Sequence, residues 1–194
     1  FYFVYTAMED EIKRLTVEGN PVLSSINYPE LNRRAQLEAD LDFYYGSNWS
    51  NLVHPTPSAE AYVSRIRKVA QETPELLVGH HYTRYIGDLS GGQMLKSIAQ
   101  KAMNLSEHDG LRFYEFDAIE DAKEFKNKYR NQLDNLPIDQ KMVDLIVQEA
   151  NQAYAFNMNI FKELEGNLIA AIGKVLFRFL TRRQSKGSTE DQGV

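Results

Sequence analysis

The sequence predicts an all-α helical bundle. Apolar residues recur at three- and four-residue steps through most of the chain, and the alternating runs that mark strands are nearly absent. Breakers containing Pro, Gly or Asn separate the periodic segments at helix-length intervals. No internal repeat and no linker long enough to divide two domains is present, so one helical domain is expected.

Tyr5, Met8, Ile12 and Leu15 predict a helix over 1–15, stopped by Gly19-Asn20-Pro21. A loop is expected up to Tyr28-Pro29. A helix from near Glu30 then carries Leu31, Ala35, Leu37 and Leu41 as far as Tyr45-Gly46-Ser47-Asn48. After the breaker His54-Pro55-Thr56-Pro57, Tyr62, Ile66 and Val69 mark one face of a helix over 58–71. Thr73-Pro74-Glu75 starts the next, with Pro in the first turn, and that helix is expected to run to about Met103. Asn104 to Gly110 reads as loop, 113–116 as a short aromatic segment, and 118–133 as a helix broken by Leu136-Pro137. A long amphipathic helix over 138–164 has Met142, Leu145, Ile146, Ala153, Asn157, Ile160 and Phe161 on its inner side. Beyond Gly166 the character changes: 168–180 is apolar with Lys174 and Arg178 interposed, Thr181-Arg182-Arg183 follows, and 184–194 is polar. The chain thus divides into a domain over 1–165 and a basic amphipathic segment with a polar tail over 166–194. The basic segment either packs on the bundle or touches a membrane surface. Phe1-Tyr2-Phe3-Val4-Tyr5 is already in helical period, so the domain is expected to be truncated at its N-terminus.

Composition removes several functions. At 194 residues, 43% hydrophobic and 25% charged, the chain reads as a soluble globular domain with a sizeable core. A net charge of -5 argues against nucleic acid as a partner. The absence of cysteine removes disulfides, thiolate nucleophiles, cysteine-based zinc sites and c-type haem attachment. No apolar run is long enough to cross a membrane, so no anchor is seen, and no signal peptide is visible.

The most informative stretch is His80-His81-Tyr82-Thr83-Arg84-Tyr85-Ile86-Gly87-Asp88-Leu89-Ser90-Gly91-Gly92-Gln93. Each of its three closely spaced glycines costs a helix about 1 kcal/mol relative to alanine, which argues for a need for bare backbone. Gly87 and Gly91 are four apart and share a face. Either another helix crosses closely there, or a flat ligand lies against the backbone. Leu89-Ser90-Gly91-Gly92-Gln93 also spells the signature loop of ATP-binding-cassette ATPases, but the G-x-x-x-x-G-K-[ST] loop such enzymes require is missing. Asp88 flanks the glycine face, with Arg84 one turn earlier. A buried aspartate is costly unless it organises water or a partner charge, which makes Asp88 a candidate for proton delivery.

This run resembles the distal-helix motif of the animal-type haem oxygenases. The resemblance extends to Leu37-Glu38-Ala39-Asp40-Leu41 with Tyr45-Gly46, to Pro74-Glu75-Leu76-Leu77, and to Glu149-Ala150 followed by Tyr154, Asn157 and Phe161. It covers about residues 1–165 and implies a haem-oxygenase-like bundle, incomplete at its N-terminus. It also implies haem b as substrate and cofactor, O2, and electrons from NADPH through NADPH–cytochrome P450 reductase. The implied reaction opens the ring at the α-meso carbon to biliverdin, CO and Fe(II). Biliverdin reductase is implied as a further partner. The implied location is the cytoplasmic face of the endoplasmic reticulum, with membrane association in the full-length protein.

Carried over to these residues, the resemblance puts Gly87 and Gly91 over the haem face. Asp88 would hold the water network that protonates iron-bound O2, with Tyr5, Arg84 and Asn157 in the same network. Lys126, Arg130 and Tyr82 would hold the propionates. Lys126 and Arg130 are four apart on one helix and would otherwise read as a solvated face. Tyr154 and Phe161 would form pocket wall; without the resemblance they read as ordinary core. The axial histidine is expected upstream of Phe1. His54 and His108 sit in loops, His80 matches a family histidine that is not the ligand, and His81 reads as a surface or packing residue. No metal ligand is therefore assigned, and this chain alone is expected to turn over poorly. The alternative is a truncated, non-catalytic isoform that binds haem or a partner.

Overall fold

The breaker Gly19-Asn20-Pro21 has two functions. Gly19 takes φ +84° and ends the first helix, α1 (Tyr2–Val17). Asn20 then caps a second helix, α2 (Pro21–Ile26), where sequence suggests a loop. Its Oδ1 accepts from Val22 N at 3.1 Å and Leu23 N at 3.0 Å, and Pro21 occupies the first helical position. The computed structural model describes residues 1–106 and 109–163, and no strand occurs among them. The basic segment and tail expected over 166–194 lie outside the described residues.

Pro29–Leu31 forms a 3-10 turn, so α3 (Arg34–Tyr45) begins later than its apolar period suggests. Its first amides are capped from another helix: Glu9 Oε1 on α1 accepts from Arg33 N at 2.6 Å and Arg34 N at 3.1 Å. Thr56 caps α4 (Pro57–Glu72) through Ala59 N at 3.3 Å. Asp121 fixes the start of α7 (Ala122–Asp134), taking Lys123 N at 2.7 Å and Glu124 N at 3.0 Å, four residues inside the periodic run. The long final helix is α8 (Gln140–Glu163).

The helix expected to run unbroken from Thr73 to Met103 comes in pieces. A 3-10 turn (Pro74–Leu76) leads into α5 (Leu77–His81), a π-helical turn (Tyr82–Ile86) and α6 (Gly87–Met103). The wider π turn offsets the face presented by α6 from the face packed by α5.

In the core, α1 lies along α4, while α4 and α5 pack on α8. Tyr5, Met8, Leu23, Ile26, Leu31, Tyr62, Ile66, Leu77, Tyr85 and Tyr129 are fully buried. The close helix crossing falls at Gly79, where a Cβ would stand 2.8 Å from the Ile146 carbonyl oxygen and 2.9 Å from Ala150 N on α8. Beside it, His80 Nε2 and Arg65 Nε each meet Glu149 Oε1 at 2.8 Å, tying α5, α4 and α8 together. His81 lies parallel to the Tyr129 ring, with Nδ1 2.7 Å from its hydroxyl, and joins α5 to α7. On α8, Ala153 and Ile160 are buried as their spacing predicts, whereas Leu145 stays 37% exposed.

Two predictions follow from this packing. Gly79→Ala forces α5 away from α8 backbone that cannot yield. It should cost about 2 kcal/mol and lower Tm by roughly 4–8 °C in a thermal melt. The second concerns acid. Burial pushes His81 down to about 3 from an ordinary 6.5, so below pH 6.5 the unfolded chain takes up a proton that the folded one refuses. Burial would raise Glu149, but Arg65 and His80 outweigh it and hold the carboxyl at about 2. Its stabilisation is present above its ordinary 4.5 and lost as pH falls toward 2. Both groups make acid destabilising, His81 first. Unfolding free energy measured with denaturant should fall by about 2 kcal/mol from pH 7.5 to 5. The double variant His81→Phe/Tyr129→Phe should lose most of that slope.

Candidate active site

Three side chains from three helices converge on one buried guanidinium. Arg84, from the π turn, is almost wholly buried. Its Nε and Nη2 donate to the Tyr5 hydroxyl of α1 at 3.0 and 2.7 Å. Nη2 also donates to Asp88 Oδ1 at 3.3 Å, and Nη1 donates to Asn157 Oδ1 of α8. The Tyr5 hydroxyl, already accepting from Arg84, donates its own proton to Asp88 Oδ2. The Arg84 guanidinium carbon also lies 4.5 Å from the Phe1 ring centre and 5.2 Å from that of Tyr5.

This environment sets the charges. Burial works against the charge on Arg84, but Tyr5 and Asp88 outweigh it and hold the guanidinium protonated. Burial pushes the Asp88 carboxyl up, against the opposing pull of Arg84 and the Tyr5 hydrogen bond. Burial likewise raises the Tyr5 phenol well above its ordinary value, keeping it neutral and able to donate. Asp88 is thus a carboxyl with one oxygen on Tyr5 and the other on Arg84, its pKa raised by burial.

The glycine face beside this cluster is open. A Cβ built on Gly87 or Gly91 would meet nothing within 4 Å. The close crossing considered from sequence is therefore absent at these two positions. Gly92 points elsewhere, with Tyr114 Cδ1 3.1 Å from its Cβ position. Tyr82, on the π turn, is 39% exposed. Lys126 Nζ stands 3.4 Å from Ser90 Oγ, placing a cation at the edge of the glycine helix. Arg130 lies exposed one turn further along α7, its Nη1 3.4 Å from Asn127 Oδ1. Among the described residues neither cation is in an ion pair. Phe161 meets Phe1 edge to face at 5.5 Å, beside Arg84. Tyr154 is 58% exposed on α8, so the reading of it as ordinary core fails.

The structure thus brings Tyr5, Arg84, Asp88 and Asn157 into one network and sets Gly87, Gly91 and Lys126 beside it. His80 has both ring nitrogens on buried partners, Tyr62 and Glu149, and His81 has Nδ1 on Tyr129. His54 is exposed, and His108 lies outside the described residues. Sequence reasoning missed Glu9, whose Oε1 also takes the Tyr85 hydroxyl at 3.2 Å, and the salt link from Arg65 to Glu149. Their partners are 76 and 84 residues away, and no local spacing signals such a pairing.

The family model described as heme oxygenase matches residues 1–163. The chain is 59% identical to heme oxygenase 1 of Synechocystis over 190 residues, 97% of this chain and 78% of the relative. It is 54% identical to heme oxygenase 1 of Nostoc over 190 residues, 98% of this chain and 79% of the relative. Among solved structures, heme oxygenase-1 from Synechocystis in complex with heme matches with a TM-score of 0.82 at 57% identity, covering 92% of this chain and 80% of that one.

Proposed function

The chain belongs to the heme oxygenase family and is a haem-cleaving oxygenase, and from that premise we propose how its residues divide the work. The non-catalytic alternative is not favoured, given relatives of 54–59% identity across nearly the whole chain that are themselves named heme oxygenases. Haem is the substrate, and when bound it supplies both the iron at which O2 reacts and the ring that is opened.

The single observation that carries the assignment is an open, side-chain-free helix face directly beside a buried, charge-fixed carboxyl. Gly87 and Gly91 leave a flat surface with nothing within 4 Å of either Cβ position, as a planar macrocycle against backbone requires. Asp88, at the edge of that face, orders water and delivers protons at its carboxyl oxygens. Arg84 and Tyr5 fix the carboxyl and restrain it from turning, and Asn157 fixes Arg84 from α8. Because these groups are fixed before substrate arrives, little reorganisation is needed at the reacting edge.

Lys126 and Arg130, with no acidic partner among the described residues, hold the propionates as charge-assisted donors, and the Tyr82 hydroxyl adds a third contact. This clamp fixes the rotation of the ring and thereby directs oxidation to the α-meso carbon, giving biliverdin, CO and Fe(II). Phe161 and Tyr154 form apolar wall. The family implies a reductase as electron donor. NADPH–cytochrome P450 reductase is the proposed donor and biliverdin reductase the proposed consumer of product. The cyanobacterial relatives give no support to an endoplasmic-reticulum placement, and no helix among the described residues is long and apolar enough to cross a membrane.

The test supplies haemin, O2, NADPH and the reductase, and follows haem loss with biliverdin and CO formation. In the protein completed by the upstream segment expected to carry the axial histidine, Asp88→Ala should retain haem and lose biliverdin formation by about a hundredfold or more, and an unchanged yield would take Asp88 out of the proton path. Gly91→Ala should move fold and site in opposite directions. The haem-free protein gains about 1 kcal/mol of helix stability, seen as a higher Tm, while haem binds several-fold more weakly. A higher Tm with unaltered haem affinity would remove Gly91 from the haem face.

A further inference from the structure

The two halves of the helix that carries the site are fastened differently. α5 and the π turn are fixed to α8 by the backbone contact at Gly79, by His80 on Glu149 and by Arg84 on Asn157. Beyond Gly87, the principal lateral support of α6 among the described residues is the short segment around the 3-10 turn Arg112–Tyr114. Gln93 Nε2 donates to the Tyr114 carbonyl at 2.8 Å, Lys96 Nζ meets Glu115 Oε1 at 2.8 Å, and Gly92 lies under the Tyr114 ring.

A three-residue 3-10 turn has little stability of its own. This one is held from its far side by α3. Asp40 Oδ1 and Oδ2 accept from Arg112 N and Phe113 N, each at 2.8 Å. Arg33, 2% exposed, lies 3.8 Å over the Phe116 ring and donates through Nη1 to the carbonyls of Glu115 and Phe113. Tyr44 donates to the Gly110 carbonyl at 3.0 Å. Gly110 takes φ +69°, and a Cβ there would stand 2.5 Å from the Tyr44 hydroxyl, so the turn into the segment fits glycine alone. Arg33, which immediately precedes α3, and Asp40 and Tyr44 on it recur at seven and four residues, so one side of α3 and its start grip one segment. The same segment presses the Phe113 ring against Tyr5, centroids 5.5 Å apart. It therefore touches both the glycine helix and the phenol that holds Asp88.

Two charges buried on backbone amides and carbonyls are costly to keep, and here they serve to locate seven residues. We propose that Asp40 and Arg33 are positioning residues for haem cleavage: through 110–116 they set where α6, with its open face and Asp88, stands relative to Arg84 and Tyr5. This rests on the haem reading for its consequence, though not for its mechanics. A shift of α6 leaves Arg84 on Asn157 but carries Gly91 and Asp88 together relative to Arg84 and Tyr5, which alters the seating of a planar substrate and the hold on the carboxyl at once.

The test pairs two variants that cut the link at opposite ends. Asp40→Asn weakens the grip of α3 on the segment, and the double variant Gln93→Leu/Lys96→Met releases α6 from it by removing both side-chain links. Amide hydrogen exchange is read on the haem-free protein. Both variants should speed exchange over 88–98 about tenfold and leave 77–81 within about twofold of the parent. In the haem-loaded enzyme, both should raise the share of biliverdin isomers other than α, and lower kcat more than they raise KM. Unchanged exchange over 88–98 in either folded variant would overturn the proposal, as would equal loosening of 77–81 and 88–98. If exchange responds as expected while the parent protein, completed by the upstream segment expected to carry the axial histidine, makes no biliverdin, the haem reading fails and the mechanical role stands.

Discussion

The buried guanidinium of Arg84 is the interaction on which the rest of the structure depends. It takes an oxygen from α1, one from α6 and one from α8, while its own backbone lies in the π turn between α5 and α6. A cation buried this deeply is tolerable only when its donors are met by fixed oxygens. That requirement turns the packing of four elements into a condition on one another. Tyr5 must present its hydroxyl, so α1 must lie where it does, and Asp88 must follow one turn after Arg84. The raised pKa of Asp88 and the suppressed ionisation of Tyr5 are consequences of the same burial. The site is thus a by-product of satisfying one charge.

A second buried charge system shows the same logic used for scaffold alone. Glu149 is held ionised by Arg65 and His80, and that triad lies two turns before Asn157 on α8. One helix therefore carries the oxygen that fastens α5 and the oxygen that fastens Arg84. The distance between anchor and site is set by the helix rise, about 1.5 Å per residue, with no loop to blur it. Placing functional groups on rigid elements is what gives a site its precision.

Much of this was legible in the sequence. The bundle could be read from apolar period and breakers, and the site from the unusual cost of glycines beside Asp88. What could not be read falls into two kinds. Contacts between distant residues, such as His80 with Glu149 and Arg33 with 110–116, leave no local pattern, because nothing about position 149 or 113 announces its partner. Backbone irregularity is the other kind. Asn20-Pro21 serves as a stop for α1 and a start for α2, and only the burial of Val22, Leu23 and Ile26 decides that a helix follows. The competing readings of Gly87 and Gly91 also needed coordinates, since equal spacing serves a helix crossing and a bare face alike. The crossing exists, but at Gly79, a glycine that carries no motif.

The π turn at Tyr82–Ile86 has a consequence for how the chain tolerates change in length. A π turn is an α-helix holding one residue too many, and each residue in an α-helix turns the face by about 100°. Removing any one residue from the turn would let α5 and α6 join as a continuous helix. Every hydrogen bond along it would remain satisfied, yet Asp88 and the glycines would swing away from Tyr5 by more than a quarter of a rotation. The angular setting of the site is therefore stored as a residue count. Substitutions in this turn are tolerable in degrees, whereas a single deletion there acts as a switch between a working geometry and a well-folded helix that points the wrong way.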